Sequence, residues 1–397
     1  MTTQQTFDLA VRHHQAGRLS EAEALYRQIL AVQPHHAEAL HHLGIIAAQV
    51  GRHDLAVEWI RQALIFNPNN PDALSNLGAA LADQGRLDEA VAADRRALQL
   101  QPDHPEAHSN LGVALTKSGQ LDEAVAAHHR ALALQPDFPE AWNNLGIALA
   151  GQGQLDEAMA AHRRALVLQP DYPDAHLNLG NALKGQGEMD AAVAAYRQAL
   201  ELKPEHSSAH SNLIYALHFH PGDDARKIAE EYQRWNRQFA EPRQHLIQPH
   251  TNDRRPGRRL RIGYVSPEFR DHVTGRYLVP LFQCHDHRDF EILCYAGVVK
   301  PDSLTETFRQ HADQWRSTVG VTDEALAAMI RQDGVDILVD LTQHLAGNRL
   351  PMFALQPAPV QVSVAAYPET TGLEAIGYRI SDRYLEGDLQ SNIKHQT

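Results

Sequence analysis

Three short polar stretches hold the residues most able to do chemistry. "SPEFRDHVTG", Ser266 to Gly275, puts His272 in a loop of turn formers just after the apolar run "RIGYV". "QHLAGNR" carries His344 and Asn348 behind the run "VDILVDLT", and "PETTG", Pro368 to Gly372, carries Thr370 and Thr371 behind "PVQVSVAAY". An imidazole can accept or donate a proton near neutral pH, and a hydroxyl can donate to an anionic oxygen. In an open parallel sheet, ligands bind beyond the carboxyl ends of the strands. If the three apolar runs are parallel strands, their loops converge on one crevice. Three polar loops on one edge then specify a site that no single turn would.

The remaining chemistry-bearing residues point elsewhere. The chain has 25 histidines. His41–His42 and His128–His129 are adjacent, and neighbours on a helix diverge by about 100°, whereas helical metal pairs use i, i+4 spacing. His108, His176 and His210 share one slot with Trp142 in different repeats, too far apart to hold one ion. No metal site is expected. The two cysteines, Cys284 and Cys294, lie in apolar surroundings, where a buried reduced thiol is the default. A net charge of −13 argues against general nucleic-acid binding. "RRPGRRLR", Arg254 to Arg261, reads as a solvated linker. The N-terminus lacks the pattern of a signal peptide, and no apolar run is long enough to span a membrane. A cytoplasmic protein is the expectation.

The elements that position these loops fall into two halves. In the first, "ALSNLGAALADQGRLDEAVAADRRALQLQPD" begins at Ala73, and close copies begin at Ala107 and Ala141. The period of about 34 residues is that of tetratricopeptide repeats, each a pair of antiparallel helices. Six repeats span 3–36, 37–70, 71–104, 105–138, 139–172 and 173–206, with a half repeat at 208–220. In 71–104, Leu74, Leu77, Gly78 and Leu81 stripe one face of the first helix, and Ala90, Ala97 and Leu98 stripe the second. No single pair can bury its apolar face, so neighbours must stack into a solenoid with a groove. Asn76, Asn110, Asn144, Asn178 and Asn212 recur at one repeat position beside a buried Leu. Stacking sets them as a ladder whose amides suit an extended peptide backbone; bonding of each Asn within its own repeat is the competing use.

After residue 220 the period changes. One helix is expected over Asp223–Ala240, followed by a polar linker to Gly257. Strand candidates at 260–266, 290–297, 335–343, 359–367 and 378–382 alternate with helical stretches such as 322–334. This alternation predicts a parallel sheet covered by helices. The domains expected are a repeat superhelix at 3–220, a linker at 221–257, an α/β lobe at 258–385 and a polar tail at 386–397.

These residues carry a family resemblance. "LRIGYVSPEFRDH", "FEILCYAG", "GVDILVDLTQHLAGNRLPMFALQPAPVQV" and "YPETTGLEAIGYRISD" resemble the amino-terminal catalytic lobe of bacterial protein O-linked N-acetylglucosamine transferases, and the plant SPINDLY proteins are similar. The resemblance covers about 258–382, and the repeats match that family's substrate-binding superhelix. It implies one half of a glycosyltransferase-B fold. It also implies transfer of N-acetylglucosamine from UDP-N-acetylglucosamine to protein Ser or Thr, with inversion, no metal and no other cofactor. Protein or peptide substrates would lie in the repeat groove. By motif, His272 and His344 take the active-site histidine positions, and Thr370 and Thr371 lie near the sugar nucleotide. The departing diphosphate would need preorganised donors.

Three features depart from the family pattern. Glu369 stands where the family loop has Gly, which sets a carboxylate beside a diphosphate. Val364-Ala365-Ala366 replaces Trp-Leu-Gly, and Gln343 replaces the Gly before the histidine. The sequence stops at Thr397, where the family continues into a second lobe. The expectation is therefore a truncated transferase, inactive as these residues alone, with a non-catalytic peptide-binding scaffold as the alternative.

Overall fold

A computed structural model describes residues 1–220, 225–364 and 371–381. The chain divides into two compact units, Met1–Ala182 and Leu183–Thr397. Among the described residues no helix is long and apolar enough to cross a membrane.

The first unit is built from helical hairpins. α1 (Thr3–Gln15) packs on α2 (Leu19–Val32), α3 (Ala37–Gln49) on α4 (His53–Phe66), and α5 (Pro71–Asp83) on α6 (Leu87–Leu100). α7 (Pro105–Ser118) packs on α8 (Leu121–Leu134), and α9 (Pro139–Gly151) on α10 (Leu155–Leu168). α11 (Pro173–Gly185), α12 (Met189–Leu202) and α13 (Ser207–Leu217) follow in the chain. The apolar stripe is buried as its period requires: Leu74, Leu77, Leu81, Ala90 and Ala97 all lie in the core. Pro102 falls in the turn, but Pro105 opens α7 at its first position, where its missing N–H is no loss. His108, Trp142 and His176 share a structural task. Each ring N–H donates to the carbonyl of the proline six residues earlier, at 2.8, 2.9 and 3.1 Å.

One column of the second helices was not anticipated. Ile60, Asp94, His128 and His162 occupy the same repeat position, each pressed beneath a first-helix glycine. A Cβ on Gly44, Gly78, Gly112 or Gly146 would come within 2.4 to 2.5 Å of these side chains. Asp94 and His128 are fully buried, and neither Asp94 oxygen nor either His128 nitrogen has a hydrogen-bond partner. Burial pushes the Asp94 carboxyl up to about 9. It pushes both His128 and His162 down to about 4, with His129 adding to the effect on His128. The adjacent pair diverges as helix geometry dictates: His128 is buried and His129 exposed.

The second unit carries a six-stranded sheet. Its elements are α14 (Ala225–Trp235), β1 (Leu260–Ser266), α15 (Val273–Gln283), β2 (Phe290–Ala296), α16 (Ser303–Gln310) and β3 (Gln314–Ser317). α17 (Asp323–Gln332), β4 (Ile337–Asp340), α18 (Leu350–Phe353), β5 (Val360–Val364) and β6 (Tyr378–Ile380) complete it. The strand order is β3-β2-β1-β4-β5-β6, and every pairing is parallel. The order reverses between β1 and β4, where the loops after both strands open a crevice. Leu293 and Tyr295 of β2 face one layer with Trp235, Phe239, Leu326 and Ile330; Ile292 and Cys294 face the other with Phe269, Phe282 and Phe308. Ile214 of α13 joins the first layer. The last repeat helices therefore belong to this unit, and the unit boundary lies inside the repeat array, not near residue 220.

Several expectations shift. The helix expected over 223–240 is α14 followed by a π turn at Asn236–Ala240 and a 3₁₀ turn at Glu241–Leu246. β3 has two exposed residues in four and no apolar run to announce it. Cys294 is buried, which raises its thiol pKa, but Cys284 caps the end of α15 and is exposed. The basic stretch is largely exposed, as a solvated linker would be, but three of its arginines are paired to the sheet. Arg258 pairs bidentately with Asp336, Arg259 with Asp313 and Arg261 with Glu291. Asp336 also accepts from Asn252 and from the Arg261 amide, so these arginines clamp the amino-terminal edge of the sheet.

Candidate functional site

The loop after β1 is held in place by its own backbone. The Glu268 amide donates to Ser266 Oγ at 2.9 Å. Gly275 lies so close under the loop that a Cβ there would sit 2.1 Å from the Arg270 carbonyl oxygen. His272 is the N-cap of α15, in extended conformation, and its Nδ1 accepts the Thr274 N–H at 3.2 Å. Its side chain remains 38% exposed, enough to meet a ligand. Glu268 Oε2 stands 3.0 Å from Arg270 and 3.5 Å from His272 Nδ1.

The loop after β4 is shaped by Asp340. This carboxylate is buried and accepts from the Thr342 and Gln343 amides at 3.1 and 2.9 Å. Burial still raises its pKa to about 6 against those two bonds. Gln343 sits at φ 50°, the left-handed region that favours glycine. The turn delivers His344 into the interior, fully buried beside Trp235 and Tyr232. Its Nε2–H donates to the Thr371 carbonyl at 2.8 Å, and its Nδ1 accepts the Ser211 hydroxyl at 3.0 Å. Burial lowers its pKa to about 3, so the ring is neutral. Both nitrogens are engaged, and His344 acts as a brace between α13, the β4 loop and the segment after β5.

Both loops open on one cavity of about 460 Å³. His272, Glu268, Thr342 and His344 line it from the sheet, and Asn212, Tyr215 and Lys184 from the helices. The Lys184 ammonium lies 5.0 Å from the Tyr215 ring centroid, and burial lowers its pKa. Phe219 packs against Tyr215 with ring centroids 4.9 Å apart and planes tilted by 49°, and is half exposed, giving the cavity an aromatic lip. The arrangement offers an imidazole, a carboxylate and a cation at the wall of a space whose surface is otherwise mostly apolar.

The sequence-derived candidates fare unequally. His272, His344 and Asn212 meet at this cavity. Thr371 is buried beneath it, its Oγ accepting the Leu373 amide. Thr370 and Glu369 lie outside the described residues. Asn76, Asn110, Asn144 and Asn178 are half-buried on the first helices of their repeats. The amide NH₂ of Asn76 bonds His41, that of Asn110 bonds Ser75 and that of Asn178 bonds Asn143, so each spends a donor on the preceding repeat. Lys184, Tyr215 and Glu268 were not singled out from sequence. No local pattern marks the first two, and Glu268 sat unweighed within the quoted loop.

Comparison with known proteins agrees with this fold. A family model described as glycosyl transferase family 41 matches residues 210–391, and tetratricopeptide repeat models match 7–71, 59–92, 173–206 and three overlapping spans within 80–187. A petunia SPINDLY protein, named as a probable UDP-N-acetylglucosamine–peptide N-acetylglucosaminyltransferase, is 38% identical over 163 residues. That stretch is 39% of this chain and 17% of the petunia protein. The Arabidopsis protein SEC, of the same description, is 33% identical over 129 residues, 32% of this chain and 13% of its own length. A solved O-GlcNAc transferase from Thermobaculum terrenum superposes with a TM-score of 0.66 and 38% identity, covering 70% of this chain and 53% of that one. The chain thus spans about half of the solved relative and a smaller part of the plant proteins.

Proposed function

Belonging as it does to the O-GlcNAc transferase/SPINDLY-like family, this chain, we propose, takes part in moving N-acetylglucosamine from UDP-N-acetylglucosamine to Ser or Thr hydroxyls of proteins. The repeats hold the polypeptide, and the cavity at the β1 and β4 loops receives the acceptor hydroxyl. One observation carries this reading. Asn212, the last of the repeated asparagines, lines the same cavity as His272, so a peptide-binding position and an active-site position share one space. A non-catalytic scaffold is the less favoured reading, since a scaffold has no need of a histidine presented at the crevice of the sheet. Two unbridged cysteines suit a reducing, cytoplasmic setting.

The chemistry asked of these residues is alignment and charge stabilisation. As the sugar–phosphate bond breaks, negative charge gathers on the diphosphate, and donors fixed in advance lower the barrier most. His272 is held at the cavity by its capping bond, so it can orient an acceptor without first being ordered. Asn76, Asn110 and Asn178 would meet a peptide with the amide oxygens and the hydrogens left over from their inter-repeat bonds, and Asn144 with its amide at the same repeat position. Thr370 and Thr371 would serve the nucleotide side. The test is incubation of the full chain with radiolabelled UDP-N-acetylglucosamine and a library of Ser/Thr peptides, with donor binding followed by calorimetry. Label on Ser or Thr that falls at least about 100-fold in His272→Ala supports the reading. Absence of label from this half-length chain alone leaves the reading standing; a chain that binds neither the donor nor any of the peptides overturns it.

A further inference from the structure

We propose that the Thr274 amide and the Glu268 carboxylate compete for one nitrogen of His272, and that the amide holds the resting ring in its Nε2–H form, presenting a donor, not a base, to the cavity. The position of the proton follows from geometry; its catalytic consequence rests on the transferase reading above.

The argument starts at Nδ1. An amide N–H has only a hydrogen to give, so the 3.2 Å bond from Thr274 requires a bare lone pair on Nδ1. The neutral ring must then carry its hydrogen on Nε2. Glu268 makes the opposite demand on the same atom, because a carboxylate accepts only and would need a hydrogen on Nδ1. At 3.5 Å it is too far for a good bond. Its Oε2 is buried and makes no hydrogen bond, although it pairs with the charge of Arg270. A buried carboxylate oxygen left without a bond, beside the imidazole, is poised for a second state. A ring that gains a proton must surrender the amide and turn its new N–H to Glu268. Gly275 keeps both competitors in place, since its missing Cβ lets the loop close over the first turn of α15.

Two consequences follow for transfer. The resting Nε2 already bears hydrogen and cannot take the proton of an incoming hydroxyl. It can donate to an oxygen on which charge develops.

The test is long-range ¹H–¹⁵N correlation spectroscopy on the ¹⁵N-histidine-labelled full chain near pH 8, with His272 identified by the signals missing in His272→Gln. We expect the Nε2–H pattern in the wild type and in Glu268→Gln. We expect a shift towards Nδ1–H in Thr274→Pro, which removes the amide hydrogen at a helix position that tolerates proline. An Nδ1–H ring in the wild type overturns the proposal. So does a ring that loses its Nε2–H pattern when Glu268 is changed, or one unmoved by Thr274→Pro. The tautomer is read without turnover, so its outcome is separate from any failure of the transfer assay. Where transfer is measured, His272→Gln, which keeps an N–H donor, should exceed His272→Ala by about tenfold; equal rates remove the donor role.

Discussion

Asp94 offers the sharpest energetic test of the repeat unit. Its carboxyl is fully buried in α6, and the space above it exists only because residue 78 is glycine. Neither oxygen has a partner. Burial raises its pKa from 3.8 to about 9, so near neutral pH the folded chain keeps the proton that the unfolded chain releases. The sign follows. The folded state binds more protons between pH 3.8 and 9, so stability falls as pH rises through that window and levels off beyond it. Each pH unit favours the unfolded carboxylate by about 1.4 kcal/mol, which amounts to about 4 kcal/mol at pH 7. Replacing Asp94 by isoleucine removes this term. The neighbouring repeat shows that the shape fits, since Ile60 lies under Gly44 in the same way. Asp94→Ile should therefore stabilise the protein by about 4 kcal/mol at pH 7, and by about 1 to 2 kcal/mol at pH 5 from the same arithmetic. Urea unfolding of wild type and variant at pH 5, 6, 7 and 8 reads the difference directly. A gain that stays constant across that range would mean that the folded carboxyl is ionised, and the account of this column would fail.

The other predictions follow from groups nearby in kind. His42, His128 and His162 are each held near 4 by burial, so their contribution is complete above pH 6.5 and is lost as pH falls towards 4, by about 3 kcal/mol apiece. His128→Phe should keep the helical circular dichroism signal at pH 4.5 in a range where the wild type loses it; identical acid midpoints would refute this. Asp336→Ala should lower the urea midpoint, since it takes the acceptor from the Arg261 amide and from Asn252 and the carboxylate partner from Arg258. Wild-type stability in that variant would reduce the arginine clamp to a surface decoration.

What the sequence could disclose depended on how far apart the partners lie. The repeats were legible because each hairpin repeats its own instructions, and β1, β2, β4 and β5 because each is a short apolar run. β3 was not, because it draws its order from pairing with β2 and not from its own composition. The arginines of 254–261 were read as solvated because a charge run names no partner; Asp313 and Asp336 come 54 and 78 residues after the arginines they bind. His344 shows the same limit more sharply. Its motif set it on the loop after an apolar run, but its two bonds reach Ser211, 133 residues away, and the Thr371 carbonyl. Those bonds make it a brace. His272, by contrast, is defined by neighbours within six residues: Glu268, Thr274 and the Gly275 that lets them meet. A side chain fixed by local backbone can keep its geometry while the polypeptide beyond it varies. In this cavity the exposed histidine, and not the buried one, is therefore the residue free to respond to a substrate.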